Sequence, residues 1–154
     1  MSCTAIMTRA PLTIPEDENV AGASAKLIDH HCTSLPVVDA AGRYVGMFGV
    51  YDLLGLLVPR VALAGNFMSN LRFLSDDPGE LRRRYEEVKS RRVSEVADRN
   101  SARLDSDASE VEAIRLCCLS RAAIPVLEKG TDKLIGTISC SDVLRTLAGE
   151  PPPA

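Results

Sequence analysis

The sequence contains no tryptophan, only three phenylalanines and three tyrosines, and two histidines. A core built from it must be aliphatic, and two histidines leave little material for general acid–base work or for a Ser-His-Asp or Cys-His arrangement. A surplus of positive charge is lacking too. The net charge is −3, which gives no reason to expect nucleic acid as a partner or long-range attraction to an anionic membrane surface. No apolar run approaches a membrane span; the longest candidate, residues 53–64, is broken by Gly55, Pro59 and Arg60. Met1-Ser2-Cys3-Thr4 has no basic n-region. The five cysteines (Cys3, Cys32, Cys117, Cys118, Cys140) are odd in number and lack framework spacing. Together these features predict reduced thiols and a cytoplasmic location.

What remains is an ordinary globular balance, 45% hydrophobic and 25% charged over 154 residues. That is room for one domain or for two small repeats sharing a core. Two repeats are what the chain shows. Leu134-Ile135-Gly136-Thr137-Ile138-Ser139-Cys140-Ser141-Asp142 has the same grammar as Tyr44-Val45-Gly46-Met47-Phe48-Gly49-Val50-Tyr51-Asp52, with the glycines and the aspartates each ninety positions apart. Upstream, Leu35-Pro36-Val37-Val38-Asp39 answers to Ile124-Pro125-Val126-Leu127-Glu128.

In each copy the pattern predicts β-α-β-β-α. The first copy reads as a short strand at 12–14, a helix whose buried face is Val20, Ala23, Leu27 and Ile28, strands at 35–38 and 44–48, and a helix over 51–58. The second has its short strand at 102–104 and a helix led by an Asp107–Glu110 capping box and carrying Val111, Ile114, Leu116 and Cys117. Strands at 123–127 and 134–138 and a helix over 142–147 follow. Ile6 and Met7, matched by Val93 and Val96, are apolar enough to pack as lead-ins. Between the copies, Asp77-Pro78-Gly79-Glu80 is a strong helix start, with Leu81, Tyr85 and Val88 as its stripe and Glu80–Arg84 as an i,i+4 pair. The divisions expected are 1–60, a helical connector 61–90, 91–149, and a frayed tail 150–154.

These motifs, in their order, spacing and duplication, resemble a tandem pair of CBS domains, a Bateman module, over residues 3–60 and 91–149. The resemblance implies an α+β fold in which two repeats pack through their sheets about a pseudo-two-fold axis. It also implies two clefts able to hold adenosine-containing ligands such as AMP, ADP, ATP or S-adenosylmethionine, a non-catalytic regulatory role, and association as a homodimer. An effector protein encoded elsewhere would receive the signal.

The residues give that role a physical logic. A carboxylate at a fixed corner accepts hydrogen bonds from both ribose hydroxyls. Asp142 occupies such a corner, with Ser139 as a hydroxyl partner and a helix start favouring phosphate. Ala122, Ala123 and Ile124, beside the rigid Pro125, would read the adenine edge, with Asn100, Ser101 and Ala102 lining its other side. Ser141-Asp142 is equally what an N-cap and dipole-matched first turn look like. The first repeat departs from the pattern: Gly49 stands where Ser or Thr belongs, so its cleft, with Asp52 and Ser34, is expected to be the weaker. Tyr51 could stack on a base or simply pack, and Arg121 and Arg145 are possible phosphate contacts.

Two rival classes stand beside this reading. One is a structural or protein-interaction module with clefts that bind no nucleotide, which Gly49 favours. The other, remote, is a thiol-dependent enzyme using Cys117-Cys118, although neither C-x-x-C spacing nor a basic activator is present. His30-His31-Cys32 holds metal-capable groups, but helix neighbours point about 100° apart and cannot chelate one ion well.

Overall fold

The computed structural model describes residues 1–58 and 78–151. Asp76, the Asp77 cap and most of the connector, like the end of the tail, lie outside the described residues.

Each repeat builds a small sheet with helices against it. In the first, β2 (Ile14–Pro15) runs parallel to β3 (Ser34–Val38), which pairs antiparallel with β4 (Tyr44–Gly49). Helix α1 (Val20–Asp29) starts at Asn19, whose Oδ1 accepts the Gly22 N–H at 2.8 Å, and α2 (Val50–Leu57) leaves the end of β4. In the second repeat β5 (Leu104–Asp105), β6 (Ile124–Leu127) and β7 (Leu134–Ile138) repeat that arrangement, with α5 (Glu110–Ser120) and α6 (Cys140–Leu147) as the helices. Pro36 and Pro125 are both fully buried in their strands. The connector helix α3 (Pro78–Val88) carries the expected Glu80–Arg84 pair at 2.9 Å, and Arg84 also reaches the Leu57 carbonyl at 3.0 Å, tying the connector to the end of α2.

The lead-ins cross over. Strand β1 (Thr8–Arg9) belongs to the second repeat's sheet, paired with β7, so that sheet runs β1-β7-β6-β5. Cys3, Ile6 and Met7 are buried among Leu104, Ala113, Cys117, Ile124, Val126 and Ile138. Reciprocally, the second lead-in, α4 (Val93–Val96) with Asp98, lies on the first repeat. There Val93 joins Ile14, Val20, Leu27, Val37 and Phe48, and Asp98 bridges Met47. The exchange obeys a two-fold relation down to single bonds. Cys3 N–H donates to Ala108 O at 2.8 Å and Val93 N–H to Glu18 O at 2.8 Å. Ser2 bridges Ser109 as Arg92 bridges Asn19.

Glycine makes these crossings possible. A Cβ on Gly136 would lie 2.7 Å from Thr8 O, and one on Gly46 would lie 2.8 Å from Asp98 O. At those distances the crossing backbone could not stay in place, so the motif glycine serves the swap of lead-ins as much as its own strand. A third cluster, Tyr44, Met47, Leu127 and the half-buried Leu134, fills the seam between the repeats. The Tyr44 N–H reaches Asp132 O across it at 2.7 Å.

Two expected helix starts move. Helix α5 is capped by Ser109, whose side chain accepts the Glu112 N–H at 3.1 Å; Asp107 lies outside the helix and pairs with Lys129. Helix α6 begins at Cys140 with Ser139, not Ser141, as its cap. In both cases several Ser and Asp residues competed for one cap, and the entering backbone chose among them.

Candidate functional site

Asp52 and Asp142 occupy equivalent corners, each as the third residue of the helix that follows the last strand of its repeat, β4 or β7, and their surroundings differ. Asp142 is buried, and its carboxylate accepts three hydrogen bonds. Its Oδ2 accepts the Ser139 N–H and the Ser139 hydroxyl, both at 2.7 Å, while its Oδ1 accepts the Thr8 hydroxyl at 2.9 Å. The predicted pair Ser139–Asp142 therefore exists as a capping box locked to the first repeat's lead-in. Those bonds take three of the carboxylate's roughly four acceptor sites.

Asp52 is half-buried, and its Oδ2 accepts the Gly49 N–H at 2.8 Å. Among the described residues no protein donor reaches its Oδ1. Burial is the main influence raising the Asp52 carboxyl above its ordinary range; the Gly49 N–H pulls it down, and the Asp98 charge pushes it up. Asp98 stands where the first repeat has Thr8, ninety positions earlier. A hydroxyl that donates to Asp142 is thus replaced by a carboxylate that cannot donate to Asp52.

The cleft at Asp52 measures about 540 Å³ and is lined by Gly49, Tyr51, Asp98, Ser101, Ala102 and the 120–124 loop, with Thr33 and Ser34 on its remaining side. A second groove of about 400 Å³ shares Thr33, Ser34, Arg121, Ala122 and Ala123 with it and continues past His31 to Ser139, Cys140 and Ser141. The residues expected around the adenine therefore separate. Ser101, Ala102 and Ile124 line the cleft with Asp52, Ala122 and Ala123 line both grooves, and Asp142 lines neither. Ser101 exchanges a hydrogen bond with Tyr44 Oη at 2.9 Å. Asn100 is exposed, and its N–H donates to Asp98 Oδ1 at 2.9 Å. Pro125 lies in the strand beneath the cleft. Ser34 lines both grooves, and its buried Oγ has no hydrogen-bond partner among the described residues.

Gly49 has a local cause. A Cβ there would sit 2.7 Å from Thr33 O, the carbonyl that accepts the Val50 N–H at 2.9 Å. The space a Ser or Thr would fill at this position is taken by the incoming loop. Arg121 closes α5 in a left-handed conformation with φ 53° and faces both grooves; Arg145 lines neither. Sequence reasoning missed Asp98 and Thr8. The ninety-residue offset would have paired them, had it been carried into the lead-ins.

The sequence model of the CBS domain matches residues 3–59 and again 93–149. The chain belongs to the CBS-domain family. Its two repeats form a CBS pair, and solved structures share the fold. The CBS-pair protein CBSX2 from Arabidopsis thaliana superposes with a TM-score of 0.73 at 20% identity, over 96% of this chain and 94% of that one. CBSX2 in complex with AMP gives 0.69 at 21%, over 96% of each chain. Protein MJ1004 from Mathanocaldococcus jannaschii gives 0.67 at 21%, over 97% of this chain; this CBS pair spans 60% of that protein's length. No curated protein sequence matches the chain.

Other chemistry finds little support. Burial is the largest cause pushing the Cys117 thiol up to about 11, with Cys140 beside it, the opposite of what a nucleophilic thiolate requires. Among the described residues no group of three or more His, Cys, Asp or Glu side chains could hold a metal ion, and no helix is long and apolar enough to cross a membrane.

Proposed function

We propose that this CBS pair is a non-catalytic regulatory module that binds an adenosine-containing ligand, of the AMP, ADP, ATP or S-adenosylmethionine kind, in the Asp52 cleft. The observation that carries the reading is the half-buried Asp52 carboxylate with one oxygen unclaimed among the described residues, facing a cleft walled by Ser101, Ala102 and the Ala122–Ile124 backbone. That oxygen is placed to accept the ribose hydroxyls, and the loop beside it offers a small, neutral surface to the base. The AMP complex of CBSX2 supports the ligand class. The Asp142 corner takes the structural part, pinning the crossed lead-in.

A ligand here would touch the first repeat through Asp52 and the second through Ser101 and the 122–124 backbone. Occupancy would then favour the arrangement of repeats that closes the cleft. The same proposal includes a homodimer, a cytoplasmic setting and a separate effector protein as receiver.

Thermal unfolding tests it. A ligand at a hundred times its dissociation constant adds about 2.7 kcal/mol and raises the midpoint by roughly 5–10 °C in a chain of this size. The shift should appear with at least one adenosyl compound, vanish in Asp52→Ala, and survive in Asp142→Ala measured from that variant's own lower baseline. A shift lost only in Asp142→Ala would move the site to the other corner.

A further inference from the structure

The Asp52 cleft carries an unusual charge. Among the described residues its lining holds two carboxylates, Asp52 and Asp98, against one guanidinium, the exposed Arg121; the wall beyond Arg121 is Ala122-Ala123, and the adjoining groove adds His31. Asp98 is held in place by backbone bonds on both sides of Met47, N–H to O at 2.7 Å and O from N–H at 2.9 Å. Its Oδ1 is turned to the Asn100 N–H. The Asp98 backbone is therefore fixed beside the cleft, and its exposed side chain lines it. The unclaimed Asp52 oxygen alone serves the ribose diol. A phosphate brought into the same cleft would meet both negative charges.

Building on the adenosyl-binding reading, we infer that Asp98 makes this cleft select adenosyl ligands whose 5′ substituent carries no net negative charge, adenosine itself or a sulfonium such as S-adenosylmethionine, over nucleotides with a 5′-phosphate. The selectivity is a difference of affinities set by a repulsive element. The other corner shows what its absence looks like, for Thr8 neutralises no ligand charge and instead fills Asp142.

Isothermal titration of the full chain with adenosine, S-adenosylmethionine and AMP tests the inference, because the three share one adenosyl group and differ in charge. Wild type should bind the first two at least about tenfold tighter than AMP at low ionic strength, with the gap narrowing as salt screens the cleft. Asp98→Asn keeps the shape and an acceptor for Asn100; it should tighten AMP about tenfold relative to adenosine while leaving adenosine within about twofold. AMP binding as tightly as adenosine to wild type, or a ratio unmoved by Asp98→Asn, overturns the charge selection and leaves adenosyl binding standing. Silence of all three compounds on folded wild type and folded Asp98→Asn overturns the adenosyl reading itself.

Discussion

The Thr8 hydroxyl and the Ser139 cap meet on one carboxylate, so Asp142 joins the first lead-in to the last helix through three short bonds. Removing it strands donors inside a part-buried junction, where each lost charge-assisted bond costs about 1–3 kcal/mol. Asp142→Ala should therefore lower the unfolding midpoint by roughly 5–10 °C, corresponding to about 2–3 kcal/mol. Thr8→Val should lower it less, and the double variant should fall short of the sum, because the two residues share one bond. At Asp52 the expected sign is opposite. Its carboxyl is raised by burial and by Asp98, so the folded state holds its proton to higher pH than the unfolded chain does. Below the ordinary carboxylate value both states are protonated and no penalty exists. As pH rises through the raised value the penalty becomes complete. Asp52→Asn should thus stabilise the ligand-free protein at neutral pH, and the gain should disappear on titration to about pH 3. A gain that persists there would show that the penalty is not ionisation.

Among the elements, helices and strands were legible because their apolar spacing is strong. The α1 face of Val20, Ala23 and Leu27 is buried as expected, although Ile28 is 72% exposed. Caps were less legible, since they depend on backbone entry angles that composition does not encode. Ser109→Ala should cost about 1 kcal/mol in a denaturant melt, as a true N-cap. Asp107→Ala, losing only an exposed partner of Lys129, should cost no more than about 0.5 kcal/mol. Equal losses would return the cap to Asp107. Gly49 belongs to the same scale: the sequence marked it as a departure from the motif, but not why. The reason is the Thr33 carbonyl, 2.7 Å from where its Cβ would be. Gly49→Ser, which would complete the motif on paper, should destabilise by about 1–3 kcal/mol by forcing the 33–34 loop away.

At the scale of the molecule, the pairing of cleft residues was not legible, because it follows from a crossing that neither repeat shows alone. Ser101, Ala102 and the 122–124 loop lie in the same repeat as Asp142, and sequence proximity groups them with it. The exchanged lead-ins carry Asp98 and Ser101 onto the first repeat's β4 and Thr8 onto the second repeat's β7 instead. The same crossing fixes how the molecule folds. Cys3, Ile6 and Met7 are almost wholly buried, and all three complete the second repeat's core. Burial of the Ile6 and Met7 side chains alone is worth about 3–6 kcal/mol, comparable with the whole stability of a small domain. A chain beginning at Ala10 should therefore lose its single cooperative transition, with the second repeat melting first although every deleted residue comes from the first. Supplying residues 1–9 as a separate peptide should restore part of the lost midpoint, rising with the logarithm of peptide concentration above its Kd. If the shortened chain melts in one step near the wild-type midpoint, each repeat closes its own core and the crossing adds nothing to stability.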